Sequence, residues 1–170
     1  MDATDNLLLE SLAFGTQQTD VSLGSIVDGI APIVKIFDPS PGASNLPAPG
    51  DTVRYDNVDV SVNTISLSAF TAPSLGGTLT LIASNGPPLD VAVFFLGFNP
   101  VQIPGIQGGV LMLLPELPDL WQVAAFNGTG STSADYPIPN QPGLVGATIF
   151  TQATALSGGL SNGLAFTVGP

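Results

Sequence analysis

The sequence predicts an all-β protein, an antiparallel β-sandwich of the immunoglobulin-like or jelly-roll-like kind, carrying an N-terminal extension of strands or a short helix. Three observations predict it. Val58, Val60 and Val62 alternate with Asp59, Ser61 and Asn63, the period-two signature of a strand with one dry and one wet face. From residue 73 onward, short apolar runs recur between turns rich in Gly, Pro and Asn, the spacing of a sandwich or barrel. No segment after residue 20 sustains a 3.6-residue period, so little helix is expected there.

Residues 6–14 (NLLLESLAF) fit two states: Leu8 and Leu12 fall at helical spacing behind a capping Asp5, while the length also suits a docking strand. Residues 21–27 alternate weakly. Residues 30–37 (IAPIVKIF) make a stronger strand in which Pro32 marks an edge or an irregular start. Residues 38–51 hold four prolines and two glycines in fourteen positions, which is loop chemistry. A strand is expected over 52–67, followed by seven more at 78–83, 90–98, 109–114, 120–126, 131–136, 146–153 and 164–168. The resulting division is an extension over 1–37, a Pro/Gly-rich loop over 38–51 and a sandwich domain over 52–170. At 170 residues the chain is long enough to bury a real core.

Composition narrows the function. Charged residues are 9% of the chain against roughly 25% in typical soluble domains, and 13 acidic residues face only Lys35 and Arg54, for a net charge of -11. Nucleic acid and anionic membrane surfaces need clustered Lys and Arg, so neither is expected as a partner. Mean hydropathy is +0.43, yet the longest apolar runs, such as 91–98 and 110–114, fall far short of the roughly 20 residues of a spanning helix. With no Cys and no His, the chain lacks disulfides, the usual zinc, copper and iron ligand sets, and the Ser-His-Asp and Cys-His nucleophile arrangements. The start Met1-Asp2-Ala3-Thr4-Asp5 has no signal-peptide character and reads as a mature or recombinant N-terminus.

From about residue 67 to 170, an ordered set of phrases runs along the chain: GGTLTL at 76–81, FFLGF at 94–98, YPIPN at 136–140, LVGATIFTQ at 144–152 and LSNGLAFTVGP at 160–170. In their order and spacing these resemble a C-terminal β-rich module of large planctomycete-type secreted bacterial proteins. The resemblance implies an extracellular, β-rich accessory role and no catalytic or binding residue. Members often carry a cysteine in the central strand; 110–119 (VLMLLPELPD) has none, which removes covalent stapling.

Candidate sites each have a bland alternative. Asp38, Asp51, Asp56 and Asp59 form the richest acidic set, and Ca²⁺ is the cation that carboxylates on sandwich loops would hold; a solvated acidic face is the other reading. Glu10, Glu116 and Asp119 are the carboxylates a glycoside hydrolase would need, but the aromatic platforms of such a cleft are missing, and no catalytic residue is assigned. Trp121 alternates with Val123 and Ala125 and is expected to be buried between sheets, with sugar stacking on an exposed face as the alternative. Asn127-Gly128-Thr129 satisfies a glycosylation sequon, but Asn-Gly reads first as a hairpin turn.

The expectation is a non-catalytic structural protein, secreted or on a cell surface, that polymerises with itself by strand-edge pairing into a filament, surface layer or matrix. Almost no lysine guards its edges. Leu7, Leu8, Leu9, Leu12 and Phe14 are the residues expected to leave their own domain and complete a neighbour's. A carbohydrate-binding or adhesive module, and a virion decoration or fibre protein, are the alternatives.

Overall fold

Short apolar runs between proline- and glycine-rich turns become β-strands. The structure, a computed structural model, describes residues 22–25, 33–36, 45–57, 63–107 and 109–170. Among them the strands are β1 (Ser22–Ser25), β2 (Ile33–Ile36), β3 (Thr52–Asn57), β4 (Asn63–Ala69), β5 (Thr78–Ser84), β6 (Val91–Gly97), β7 (Pro100–Ile106), β8 (Gly109–Leu113), β9 (Gln122–Ala125), β10 (Thr132–Pro137), β11 (Thr148–Ala155), β12 (Leu160–Ser161) and β13 (Gly163–Thr167). The only helical turns described are single 3₁₀ turns at Pro118–Leu120 and Pro142–Leu144, each opened by a proline whose fixed φ suits a first helical position.

The strands build a sandwich. One layer runs β1-β2-β3-β13-β11-β6-β9, all antiparallel. The other runs β4-β5-β10. The two are continuous through β12, which turns back from β11 and pairs with β4 in parallel. A separate hairpin, β7-β8, lies outside the first layer.

Residues opposite each other across a ladder share a face. Ala92, Phe94 and Leu96 of β6, Ala153 and Ala155 of β11, and Leu164 and Phe166 of β13 therefore point at the second layer, where they meet Ile65, Leu67, Leu79, Leu81, Ala134 and Tyr136 in the main core. The opposite face of the same strands carries Phe95, Phe150 and Ala165. It forms a second core with Ile36, Tyr55 and Leu160 beneath Val110, Met112 and Leu113 of β8. The first layer is thus dry on both sides at its centre, which is why β13 (GLAFT) is buried at every position.

Three polar side chains make that double burial possible. Gln152 of β11 accepts a hydrogen bond from the Met112 N–H (2.9 Å) and donates to the Val110 (2.9 Å) and Ser161 (2.7 Å) carbonyls, fastening the hairpin to the layer. Ser161 accepts from the Ala153 N–H through Oγ. Asn162 accepts from the Leu67 N–H (2.8 Å) and donates to the Leu67 carbonyl (3.0 Å), extending the β12–β4 pairing by one peptide unit. Gly163 is glycine for a steric reason: a Cβ there would lie 2.3 Å from Tyr55 Cζ, whose ring covers the position.

Several expectations need correction. The segment read as one strand over 52–67 is two, β3 and β4, in different layers, with 58–62 outside the described residues. Strand β7 (PVQIPGI) and the two-residue β12 are not among the expected strands. Asn127-Gly128 does turn, with Asn127 Oδ1 accepting from the Thr129 and Ser131 N–H groups, but it joins β9 to β10 across layers rather than making a hairpin. From the region read as an extension, β2 pairs with β3 and β1 with β2. Residues 6–14 lie outside the described residues, as do Leu7, Leu8, Leu9, Leu12 and Phe14.

Candidate functional site

Interest concentrates where the end of β6 meets the 114–121 loop, β9 and β10. The terminal strand of the first layer is β9. Because the Phe126 N–H donates to the Asp90 carbonyl (2.8 Å), antiparallel alternation turns the backbone groups of Gln122 and Ala124 toward β6 and those of Val123 and Ala125 away from it. Among the described residues nothing pairs with that outer edge of β9. Its neighbour in the second layer, β10, is blunter: Pro137 lacks an N–H, and the outward Asp135 carbonyl already accepts from Gln122 Nε2, which bridges the two layers.

Around this edge large apolar side chains reach solvent. Trp121 is 42% exposed and Val123 67%, with Phe98, Leu114 and Leu120 also exposed. The expected burial of Trp121 between the sheets is overturned. The alternation was right, but the face that goes inside belongs to Ala124 and Phe126, and the indole leans on Phe95 from outside at a centroid separation of 6.2 Å and a tilt of 56°. Nearby, Glu116 accepts hydrogen bonds from the Phe98 N–H (3.0 Å) and the Asn99 side-chain amide (2.7 Å). Those two bonds hold its carboxyl below the usual range. A carboxylate kept ionised in this way clamps a loop and is poorly matched to general-acid work, which needs a raised value.

Beside the edge, the end of the sandwich opens into a cavity of about 250 Å³ between the layers. Leu79, Leu96, Tyr136, Ile138, Phe166 and Val168 form its walls, while Leu120 and Trp121 stand at it from one 3₁₀ turn and Leu144 from the other. Polar lining is confined to Asp119, Gln122 and Tyr136. The Tyr136 hydroxyl is buried beside the Gln122 backbone and makes no hydrogen bond of proper geometry among the described residues; burial pushes its pKa up.

The acidic set does not converge as far as it can be followed. Asp51 is exposed at the start of β3, whereas Asp56 is fully buried and accepts from Arg54 Nη2 at 3.0 Å. Five residues of extended chain hold the two about 16 Å apart, and Asp38 and Asp59 lie outside the described residues. Among the described residues no three His, Cys, Asp or Glu side chains group as a metal site. No described helix is long and apolar enough to cross a membrane. The cavity and the β9 edge were not found by sequence reasoning; the signal was present in the prolines at 115, 118, 137, 139 and 142, which hold the two turns that bound the open end.

No family model matches the sequence, and no curated protein does. Among solved structures, the chain is similar to the superoxide reductase (neelaredoxin) of Ignicoccus hospitalis at 12% identity and a TM-score of 0.33, over 63% of this chain and 81% of that one, a likeness too distant to bear on fold or activity.

Proposed function

We propose that the chain is a non-catalytic extracellular structural protein that assembles with copies of itself into a filament, surface layer or matrix, using β9 as the edge to which a neighbour adds a strand. The carrying observation is the coincidence on β9 of outward backbone groups at Val123 and Ala125 with the exposed Val123 and Trp121 side chains, at an edge with no Lys or Arg to discourage pairing. The apolar segment at 7–14 is the candidate donor, and the likeness to secreted β-rich modules supports an exterior location. A net charge of -11 opposes self-association, so assembly should strengthen as salt screens the repulsion.

Sedimentation velocity and negative-stain microscopy across protein and salt concentration test the reading. The full chain should associate, Val123→Lys should abolish association without unfolding, and deletion of 1–14 should do the same if that segment is the donor. A chain that stays monomeric at every concentration and ionic strength sinks the proposal. One observation favours a second reading, a carbohydrate-binding or adhesive module: Trp121 and Phe98 are exposed near the Glu116 carboxylate, the pairing of aromatic face and polar group that sugars use. Saturable quenching of Trp121 fluorescence by an oligosaccharide, in a chain that does not self-associate, would select it.

A further inference from the structure

We propose that the cavity at the end of the sandwich is a binding site for a small, uncharged, apolar molecule, a property separate from assembly at β9. Its size comes first. The volume of about 250 Å³ exceeds the roughly 150 Å³ that suffices for a benzene-sized guest in a dry protein cavity. It is therefore matched to a fused or linked pair of rings or a short branched chain.

The walls decide the chemistry. Leu79, Leu96, Ile138, Phe166 and Val168 offer no hydrogen bond, the Tyr136 hydroxyl is shielded from solvent, and Gln122 Nε2 is already engaged with the Asp135 carbonyl. A sugar or peptide entering would shed water from many polar groups and find only Tyr136, Asp119 and Gln122 to replace it. An anion fares worse: Asp119 stands in the lining, and no Lys or Arg occurs anywhere after Arg54 to balance a carboxylate or phosphate. Water gains little there because partners are so few, so an apolar guest displaces it readily. The space is also braced against collapse. The turns at Pro118–Leu120 and Pro142–Leu144 each start on a proline and close on a backbone hydrogen bond, Trp121 N–H to the Pro118 carbonyl and Val145 N–H to the Pro142 carbonyl, which fixes the rim on both sides.

The test uses two probes with one skeleton. The full chain is titrated with neutral N-phenyl-1-naphthylamine and with its sulfonated counterpart, 8-anilinonaphthalene-1-sulfonate, following probe emission and that of Trp121, the single tryptophan. Saturable one-to-one binding of the neutral probe is expected, with the sulfonate weaker by about tenfold or more. Ala147 lines the cavity, and filling it with Ala147→Phe should weaken the neutral probe by about tenfold. Ala147→Leu, a milder filler, serves if the Phe variant fails to melt cooperatively. Leu156→Ala, at an exposed position outside the lining, and Val123→Lys, at the assembly edge, should both leave binding unchanged. Absence of saturable binding, equal affinity for the two probes, or undiminished binding in a folded cavity-filled variant would overturn the proposal.

Discussion

Replacing Gln152 with leucine asks how much of the fold depends on one carboxamide. Gln152 is fully buried, and its three hydrogen bonds reach β8, which the β11 backbone does not otherwise join, and β12, which it meets in a single residue pair. The Met112 N–H and Val110 carbonyl lie on the edge of β8 that turns inward, the groups a further strand would have taken, and the carboxamide supplies that strand's one peptide unit. Leucine fills a similar volume but leaves one donor and two acceptors in an apolar layer. At about 1–3 kcal/mol for each buried group left unpaired, the loss is roughly 3–9 kcal/mol before compensation. Burying a leucine returns about 2 kcal/mol, and partial hydration of the loosened hairpin returns more, so a net loss near 3 kcal/mol is the working figure, a large share of the ~5–15 kcal/mol typical of a domain. Urea unfolding followed by Trp121 emission and by far-ultraviolet circular dichroism measures it. Hydrogen exchange adds the local readout: the Met112 amide should lose protection before the amides of β11 do. A variant within about 1 kcal/mol of the parent, with Met112 protection intact, would refute the assignment of Gln152 as the fastening between hairpin and layer.

Two further substitutions probe the Tyr55 position. The Tyr55 hydroxyl is fully buried with no hydrogen-bond partner among the described residues, so Tyr55→Phe should be neutral or stabilising by about 1 kcal/mol, the reverse of the usual effect of trimming a core side chain. Burial also pushes the Tyr55 phenol well above its usual range, so as pH rises past about 10 the unfolded chain ionises while the folded one does not. Stability must therefore fall in that window, and denaturation midpoints measured from neutral to alkaline pH should fall less steeply in Tyr55→Phe. Gly163→Ala should cost about 1–3 kcal/mol because its methyl would collide with the Tyr55 ring, and a double-mutant cycle with Tyr55→Leu should recover part of that loss.

Strand positions were legible at the wet surface and in the core alike, but which face goes inside was legible only where one side meets water. Alternation identifies a strand only where one face meets water, and β5, with its regular buried and partly exposed positions, and β10 were readable for that reason. At the doubly buried centre the period vanishes: VAVFFLG of β6 and GLAFT of β13 were expected as strands from their apolar runs between turns alone, and Gln152, which looks like a solvent-facing residue in TIFTQATA, is instead fully buried. Strand β7 carries two prolines, which weaken any strand signal, and pairs on β8 alone among the described strands. Trp121 was assigned to the wrong face because alternation gives two faces and does not say which is inside; the preceding 3₁₀ turn, invisible to periodicity, sets that choice. The cavity was hidden for a related cause, since its walls come from residues 79 to 168 and only their convergence defines it.

The pairing of β3 with β13 sets the tempo at which this protein can come into being. Tyr55 lies opposite Gly163, so the first layer cannot close until a strand more than a hundred positions later in the chain has been synthesised and delivered to it. Loop closure over such a span is entropically expensive, and folds dominated by it are slow. Until then β3 and β11 present ladders without their shared partner and β12 cannot hand the sheet on to β4, so the nascent chain carries open edges until residues 160–167 have emerged. Joining the layers is then a single event. The arrival of residues 160–167 satisfies β3, β4 and β11 together, and Gly169 seals the end by donating its N–H to the Pro73 carbonyl at 2.7 Å.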